Sequence, residues 1–341
     1  MTLPVIFGLA GPVMSPDEQA FFRDANPAGY ILFARNIETP AQLRALTDAL
    51  RELRGDDQLP ILIDQEGGRV ARLGAPHWRD WPAAATLAQG ADGYSGVVGS
   101  KVAERVRLNY EALGLELLAA GVTVTCAPVL DVPQADAHDI IGDRAFGNTP
   151  DQVAALGRAC LEGLAMAGIA GVIKHIPGHG RALSDSHESL PRVAADAASL
   201  AVDCLPFSEL SDATMAMTAH VVYEAWDMEH CASVSARIIE GQIRGRIGFD
   251  GLLMSDDLDM KALSGDLPSR AAAVLEAGCD IALNCWGRFD DMTAIANAVP
   301  AMTDVAERRL LRARSTLRIA QNTEALVARL AALIARRDAL Y

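Results

Sequence analysis

Short apolar runs alternate with amphipathic segments eight times along the chain, and this alternation restricts the possible folds more than any other feature. The runs occupy 4–11, 29–35, 60–67, 122–132, 170–178, 213–223, 249–258 and 278–285. Most of them are rich in Val, Ile and Leu without regular polar alternation, which is typical of parallel strands covered on both faces. We interpret the eight runs as eight β-strands.

The segments between the runs carry the residue spacing of amphipathic helices. This spacing predicts helices at 40–53, 102–121, 150–168, 235–248 and 269–278, with one or two more in the tail. Thr39 stands at an expected N-cap, Pro150 lies in a first turn, and Gly121 and Gly168 stand at helix ends. Eight strand–helix units predict an α/β fold, a (β/α)8 TIM barrel, as a single domain over 1–341 with C-terminal helices at about 303–337.

The second fold hypothesis is a doubly wound open sheet. Such a sheet is expected to carry a glycine-rich dinucleotide-binding turn after its first strand. The segment 8–13, GLAGPV, does not match GxGxxG, and Pro12 lacks the backbone N–H that a phosphate would need. The barrel is therefore the preferred fold.

Charge and cysteine usage restrict the partners and the compartment. The formal net charge is -14 at pH 7, and nucleic acid and anionic lipid both bind clustered basic side chains, so we predict no nucleic-acid and no membrane partner. The apolar N-terminal stretch lacks a basic region, so we interpret it as a strand and not as a signal peptide. The six cysteines show no CxxC spacing, which predicts free, mostly buried thiols and a cytoplasmic protein.

Titratable side chains follow the predicted strands, whose carboxyl ends all meet at one mouth of a (β/α)8 barrel, where the chemistry lies. The ends of the third to seventh runs carry Asp64, Glu66, Asp131, Lys174, His175, His220, Asp256 and Asp257. The opposite ends carry few such groups, so we predict an active site at this mouth. Glu66, Asp257 and Asp259 are interpreted instead as residues that cap helices or bind backbone groups.

The stretch 174–191, KHIPGHGRALSDSHESLP, offers two histidines at the spacing of metal ligands on a helix. These are His175 and His179, but Pro177 and Gly178 lie between them and prevent a helix. The zinc-site interpretation thereby loses its geometric basis, and we predict no metal.

An acid/base pair in the same stretch is the better interpretation. Asp185 stands two residues before His187, so its carboxylate can accept the imidazole N–H and raise the pKa of the ring from about 6.5. His187 can then act as a general acid near neutral pH. The alternative is a surface turn with an uninvolved histidine. Gly178 and Gly180 are possible hinges of this loop, which suggests that the loop closes over a substrate.

Several motifs occur together in one order along nearly the whole chain. They are DQEGGRV at 64–70, APVLDV at 127–132, GDRAFG at 142–147, KHIPGHG at 174–180 with DSH at 185–187, and GFDGLLMSDDLDM at 248–260. This set resembles the bacterial β-N-acetylglucosaminidases of glycoside hydrolase family 3, in the type that consists of a single barrel. One departure is Ile176, where the family usually has Phe, and it changes only the packing beside the site.

The resemblance implies a role for each matching residue. Asp256 corresponds to the nucleophile, His187 to the general acid/base and Asp185 to the residue that orients His187. The residues that correspond to ligands of the terminal sugar are Asp64, Arg72, Arg144, Lys174 and His175. The implied substrate is N-acetylglucosamine β-1,4-linked to an anhydro-N-acetylmuramic acid unit, a muropeptide fragment with or without its peptide. The implied process is cytoplasmic cell-wall recycling, with no cofactor and no metal.

The chemistry of these residues agrees with the implied reaction. Glycoside cleavage needs an acid for the leaving oxygen and a carboxylate for the oxocarbenium-like centre. Ionised Asp256 favours the protonated form of His187. When Asp256 is consumed in a glycosyl–enzyme bond this effect disappears, and the imidazole can act as a base toward water, with retention of configuration.

Other activities remain open at this point. The alternatives are a phosphorylase that uses phosphate in place of water, a β-glucosidase on the same barrel, a metal-dependent hydrolase and a catalytically inactive sugar-binding barrel.

Three tryptophans follow the third and eighth runs, namely Trp78, Trp81 and Trp286. Each can either pack against a sugar face or close the mouth of the barrel.

Overall fold

The computed structural model describes residues 1–90, 100–135, 137–186, 189–318 and 323–341. Its centre is a closed barrel of parallel strands whose order around the ring follows their order in the chain. The strands are β1 (Leu3–Gly8), β2 (Pro27–Leu32), β3 (Ile61–Ile63), β4 (Val124–Thr125), β5 (Ala170–Ile176), β6 (Met215–Thr218), β7 (Leu252–Asp257) and β8 (Ile281–Asn284). Pairing of Val5 with Ala282 closes the ring between β1 and β8. The predicted (β/α)8 barrel is confirmed, and the open sheet is wrong.

Helices surround the barrel. They are α1 (Pro16–Ala25), α2 (Pro40–Arg54), α3 (Ala84–Leu87), α4 (Lys101–Ala119), α5 (Pro150–Ala167), α6 (Ala197–Asp203), α7 (Leu205–Glu209), α8 (Ala236–Ile238), α9 (Leu267–Glu276), α10 (Phe289–Ala298), α11 (Asp304–Arg314) and α12 (Thr323–Asp338). A π-helical segment, Ile239–Ile247, continues α8. The five helices predicted between strands lie within two residues of their expected ends. The helices that the sequence analysis missed, α1, α3, α6, α7 and α10, are short and show few repeats of the helical period.

Local interactions explain where the predicted helices begin and end. The Thr39 side chain accepts a hydrogen bond of 3.1 Å from the backbone N–H of Gln42, which caps α2 as expected. Gly168 adopts a left-handed φ of 91° after α5, a conformation that glycine reaches without the steric penalty of a Cβ atom. The capping and stop signals in the sequence are therefore real structural features.

The core has two layers, because each strand is covered on both faces. The inner layer fills the barrel with side chains that include Ile6, Ile31, Leu62, Val124, Val172, Met215, Met217, Leu252, Met254 and Leu283. The outer layer packs the opposite strand faces against the helices. All seven residues of β5 are buried, which explains its continuous apolar run.

All six cysteines are free and buried, as predicted. In the described ranges no helix combines the length and the apolar character needed to cross a membrane.

Gly163 allows α5 to approach α4, and this contact provides a test of the packing. A Cβ atom at Gly163 would lie 2.3 Å from the carbonyl oxygen of Arg107 in α4. We therefore expect Gly163→Ala to lower the free energy of unfolding by about 1–3 kcal/mol in urea titrations. Glycine to alanine in an open helical position has the opposite sign, and a Cβ atom added at Gly241 would meet no other atom within 4 Å. Equal stabilisation by Gly163→Ala and Gly241→Ala would contradict the packing.

Candidate active site

A cavity of about 200 Å³ lies at the mouth formed by the carboxyl ends of the strands. Its polar lining consists of Asp64, Glu66, Arg69, Arg72, Arg144, Lys174, His175, His179, Ser186, Asp256 and Asp257. The structure thus brings together six of the eight site residues predicted from the sequence. Of the other two, Asp185 does not line the cavity, and His187 lies outside the described residues.

Lys174 lies between two carboxylates at the bottom of this cavity. Its side chain is 3% exposed, and its Nζ is 2.7 Å from Glu66 Oε1 and 3.3 Å from Asp64 Oδ1. Arg144 holds Glu66 through two bonds of 2.8 Å, and Arg72 Nη2 lies 3.0 Å from Asp64 Oδ2. Buried charges need such pairing because the low dielectric penalises an isolated ion. Three cations and two carboxylates leave one positive charge in the cluster.

Glu66 and Lys174 keep their charges over a wide pH range. Burial acts to raise the pKa of Glu66, but Lys174 and Arg144 outweigh burial and lower this pKa to about 2. Burial acts to lower the pKa of Lys174, whereas Glu66 and Asp64 outweigh it and raise this pKa above the usual range for lysine. Both groups are therefore ionised at neutral pH and form a fixed pattern of donors and acceptors.

The predicted capping or backbone-binding role of Glu66 is wrong, because its carboxylate pairs with Lys174 and Arg144. A signal was present, because Asp64 and Glu66 stand two residues apart after a strand and alternation places such side chains on one face. Asp257 does bind backbone, as expected, accepting N–H groups of Asp259 and Cys285 at 3.2 and 3.1 Å. The same prediction is wrong for Asp259, whose carboxylate accepts a bond of 2.8 Å from the side chain of Asn284 and pairs with Arg288.

Asp131 fixes the orientation of His175 by hydrogen bonds to its ring and its backbone. Its carboxylate is fully buried, and Oδ2 accepts the Nδ1–H of His175 at 2.6 Å. Oδ1 accepts the backbone N–H groups of His175 and His179 at 3.2 and 2.7 Å. Burial acts to raise the pKa of Asp131, but His175 outweighs it and the pKa is lowered. With Nδ1 occupied, the ring of His175 has only Nε2 left for contacts in the cavity.

His179 also lines the cavity, with its ring centre 5.6 Å from that of His175. The turn therefore brings both imidazoles to one cavity without a helix. The prediction from helical spacing did not include this geometry. Burial and the neighbouring His175 lower the pKa of His179 to about 4, so its ring is neutral at pH 7. Within the described ranges, no group of three or more His, Cys, Asp or Glu side chains is placed to hold a metal ion.

Asp256 is the last residue but one of β7 and faces the cavity, half-buried. Its Oδ1 accepts the backbone N–H of Asp257 at 2.8 Å. Burial acts to raise the pKa of Asp256, but His220 and His175 outweigh burial and the pKa is lowered. The neighbouring Asp257 differs, because burial and Asp259 raise its pKa to about 7. Two adjacent carboxyl groups thus hold different protonation states in one cavity, with Asp256 ionised.

His220 fixes the backbone next to Asp256. The ring is fully buried, and burial lowers its pKa. Nε2–H donates to the carbonyl oxygen of Asp257 at 3.1 Å, and Nδ1 lies 2.7 Å from the hydroxyl oxygen of Ser233. The sequence places His220 at a strand end but indicates no role for it.

The loop after β5 reaches the cavity at Ser186, which is buried in the lining. Asp185 is partly buried, and His187 lies outside the described residues. Gly178 and Gly180, interpreted above as possible hinges, are closely packed. A Cβ atom at Gly180 would lie 2.0 Å from the carbonyl oxygen of Val132, and Gly178 has a φ of 133°. Close approach and backbone conformation account for glycine at these positions without a hinge.

The three tryptophans differ in their positions. Trp81 is buried and donates its indole N–H to Glu116 Oε2 at 2.8 Å, so it belongs to the core. Trp78 packs against the core and is partly buried. Trp286 is exposed at the rim. The described lining of the cavity contains no tryptophan.

Comparison with known proteins assigns the family. The model of the glycosyl hydrolase family 3 N-terminal domain matches residues 7–318. The chain belongs to glycosyl hydrolase family 3. This family 3 member is a glycoside hydrolase, and the family predicted from the motifs is confirmed.

Relatives of this family 3 hydrolase cover most of its length. The β-hexosaminidase of Alkalilimnicola ehrlichii is 39% identical over 317 residues, which cover 91% of this chain and 88% of the relative. That of Methylococcus capsulatus is 40% identical over 285 residues, with 82% of both chains covered. The crystal structure of NagZ from Neisseria gonorrhoeae in complex with N-trifluoroacetyl-D-glucosamine superimposes with a TM-score of 0.87 at 32% identity, over 99% of this chain and 98% of that one.

The charge cluster of the family 3 hydrolase predicts a pH-dependent contribution to stability. The pKa of Glu66 in the folded state, about 2, lies below the ordinary value of 4.5. Ionised Glu66 therefore stabilises the fold above pH 4.5, and this stabilisation is lost as the pH falls toward 2. We expect Glu66→Gln to lower the free energy of unfolding by about 3 kcal/mol at pH 7 and by about 1 kcal/mol at pH 3.

Urea titrations at both pH values measure this difference. Glu162→Gln serves as the control, because Glu162 is an exposed glutamate in α5, and its replacement should change stability by less than about 0.5 kcal/mol. A loss in Glu66→Gln that is the same at pH 3 and pH 7 would contradict the ionised pairing.

Proposed function

We propose that this glycoside hydrolase is an exo-acting, retaining β-N-acetylhexosaminidase that removes terminal N-acetylglucosamine from its substrate. Asp256 is the proposed nucleophile, His187 the general acid/base and Asp185 the residue that orients His187. The observation that carries the proposal is an ionised carboxylate, Asp256, near a strand end in a small cavity with charged walls. The names of the relatives, β-hexosaminidase and NagZ, support the same substrate class.

The size of the cavity supports an exo-acting enzyme. Its volume of about 200 Å³ lies below the roughly 300–1,000 Å³ of sites that enclose drug-sized ligands. One terminal sugar fills such a space, and the rest of the substrate then lies outside it. The enzyme would thus cleave single units from a chain end.

The walls of the cavity suit a sugar. Sugar hydroxyls both donate and accept hydrogen bonds, and the fixed charges of the cluster offer both kinds of partner. Lys174 and Arg72 donate, whereas Asp64 accepts. His175, oriented by Asp131, and Arg144, bound to Glu66, complete the proposed set of sugar ligands. Because these groups pair with each other before a sugar arrives, their positions are preorganised.

The reaction takes two steps. In the first step a carboxylate oxygen of Asp256 attacks the anomeric carbon, the bond to the glycosidic oxygen breaks, and the imidazolium of His187 gives its proton to that oxygen. In the second step neutral His187 takes a proton from water, and the water oxygen displaces the Asp256 carboxylate from the anomeric carbon. Two inversions give retention of configuration.

A histidine acid agrees with the electrostatics of this site. Ionised Asp256 favours an imidazolium nearby in the free enzyme, and the glycosyl–enzyme ester removes that negative charge. The acid therefore becomes a base at the point where water must be activated. The proposed natural substrate is a muropeptide fragment with N-acetylglucosamine linked to anhydro-N-acetylmuramic acid, used in cytoplasmic cell-wall recycling; this part rests on the family resemblance.

Substitution of the two central residues tests the roles with 4-nitrophenyl N-acetyl-β-glucosaminide. Asp256→Asn should lower kcat by at least about 1,000-fold, because the amide cannot form the glycosyl–enzyme bond. His187→Ala should retain a rapid first release of nitrophenol, since this leaving group needs little protonation, followed by slow hydrolysis of the intermediate. His77→Ala, at an exposed loop histidine, is the control with unchanged kinetics. Full activity in Asp256→Asn would end the nucleophile assignment.

Product analysis tests the stereochemistry and the acceptor. We expect proton NMR during the first turnovers to show the β-anomer of N-acetylglucosamine, since two displacements retain configuration. In phosphate buffer the product should still be the free sugar. Initial formation of the α-anomer would exclude the two-step mechanism, and a sugar 1-phosphate would identify a phosphorylase.

A further inference from the structure

Arginine and aromatic side chains alternate along one part of the rim of the cavity. The guanidinium carbon of Arg35 lies 4.9 Å from the ring centre of Phe33 and 5.8 Å from that of Trp286. Phe33 lines the cavity, and Arg35 also donates to the carbonyl oxygen of Cys285, another lining residue. The indole of Trp286 is therefore connected to the edge of the cavity through two fixed contacts of Arg35.

Trp286 is exposed although it is one of the largest apolar side chains. It stands two residues after the end of β8, at the mouth of the barrel, and is 53% exposed. The side chains of Val13 and Phe289 are exposed beside it and line the same groove. Core packing does not require an indole at this position. A groove with several exposed apolar side chains next to a catalytic cavity is typical of a binding surface.

We propose that Trp286 is the surface against which the sugar ring of the leaving group packs. This inference rests on the proposed function, because it assumes that one terminal sugar occupies the cavity. The leaving group must then lie outside the cavity, at the rim, where Trp286 is the exposed tryptophan. The C–H face of a pyranose is apolar and its edge is polar, so it matches an indole with cations beside it. Arg35, held by the carbonyl oxygens of Leu9 and Cys285, fixes this arrangement.

If this proposal is right, the enzyme prefers substrates whose leaving group is a sugar. Trp286 should increase turnover of substrates whose leaving group is a sugar, and it should not affect substrates with a small alkyl leaving group. The measurement is kcat/KM for two substrates, the β-1,4-linked dimer of N-acetylglucosamine and methyl N-acetyl-β-glucosaminide. The methyl group is too small to reach the indole, so this substrate reports on the cavity alone.

Trp286→Ala should lower kcat/KM for the dimer about tenfold and for the methyl glycoside less than about twofold. Trp286→Phe should retain most of the activity on the dimer, because it keeps an aromatic face. Leu311→Ala is the matched control, since Leu311 is also 53% exposed but lies in α11, whose Arg309 and Arg312 bind Asp250 at the opposite end of β7. It should leave both values unchanged.

Equal losses on both substrates, or no loss on either, would overturn the role of Trp286 while the proposed function stands. Light scattering on the same variants tests whether Trp286 instead contacts a second copy of the chain. A change of oligomeric state in Trp286→Ala, with an unchanged ratio of the two kcat/KM values, would show such a contact and overturn the proposal. Inactivity of the wild type on both substrates would overturn the proposed function itself, and this inference with it.

Discussion

Closure of the barrel places the carboxyl ends of eight parallel strands at one mouth, and the charges that meet there must pair with each other. Lys174 from β5 reaches across β4 to Asp64 and Glu66 at the end of β3, and Arg72 and Arg144 complete the pairing. Removal of Glu66 takes a carboxylate away from two buried cations, Lys174 and Arg144, which is far more unfavourable than the loss of an exposed ion pair. The same pairing gives the cavity a rigid pattern of donors and acceptors, so structural necessity and sugar recognition use the same side chains.

Two neighbouring carboxyl groups at the mouth of the barrel have different pKa values. Asp256 is surrounded by His220, His175 and Lys174, which keep its pKa low, whereas Asp257 faces Asp259 and has a pKa of about 7. A one-residue step along β7 therefore changes a carboxylate into a group that is half protonated at neutral pH. The backbone N–H of Asp257 adds a hydrogen bond to the Asp256 carboxylate and limits its rotation. A nucleophile that attacks without rearrangement must be held rigidly and must be ionised. Asp256 meets both requirements, since it lies near the end of a strand and its pKa is low.

Much of this arrangement could be predicted from the sequence, because the features involved are local. Eight apolar runs predicted the eight strands, and the polar residues after them predicted the mouth. The run 122–132 shows the limit: only Val124–Thr125 forms β4, and the chain then leaves the sheet to bring Asp131 behind His175. Contacts between residues far apart in the chain, such as Arg144 with Glu66 or Arg35 with Trp286, have no local signal. The assignment of His187 rests on the sequence, since this residue lies outside the described ranges.

Identification of the residue that becomes glycosylated tests the central claim most directly. A fluorinated N-acetylglucosaminyl fluoride, whose glycosyl–enzyme hydrolyses slowly, loses fluoride as a carboxylate oxygen bonds to the anomeric carbon. Proteolysis and mass spectrometry of the trapped enzyme then locate the sugar. The account predicts that the peptide containing Asp256 carries the label and that Asp256→Asn carries none. A label on Asp257 or on any other residue, or continued turnover of the fluoride without a trapped adduct, would contradict it.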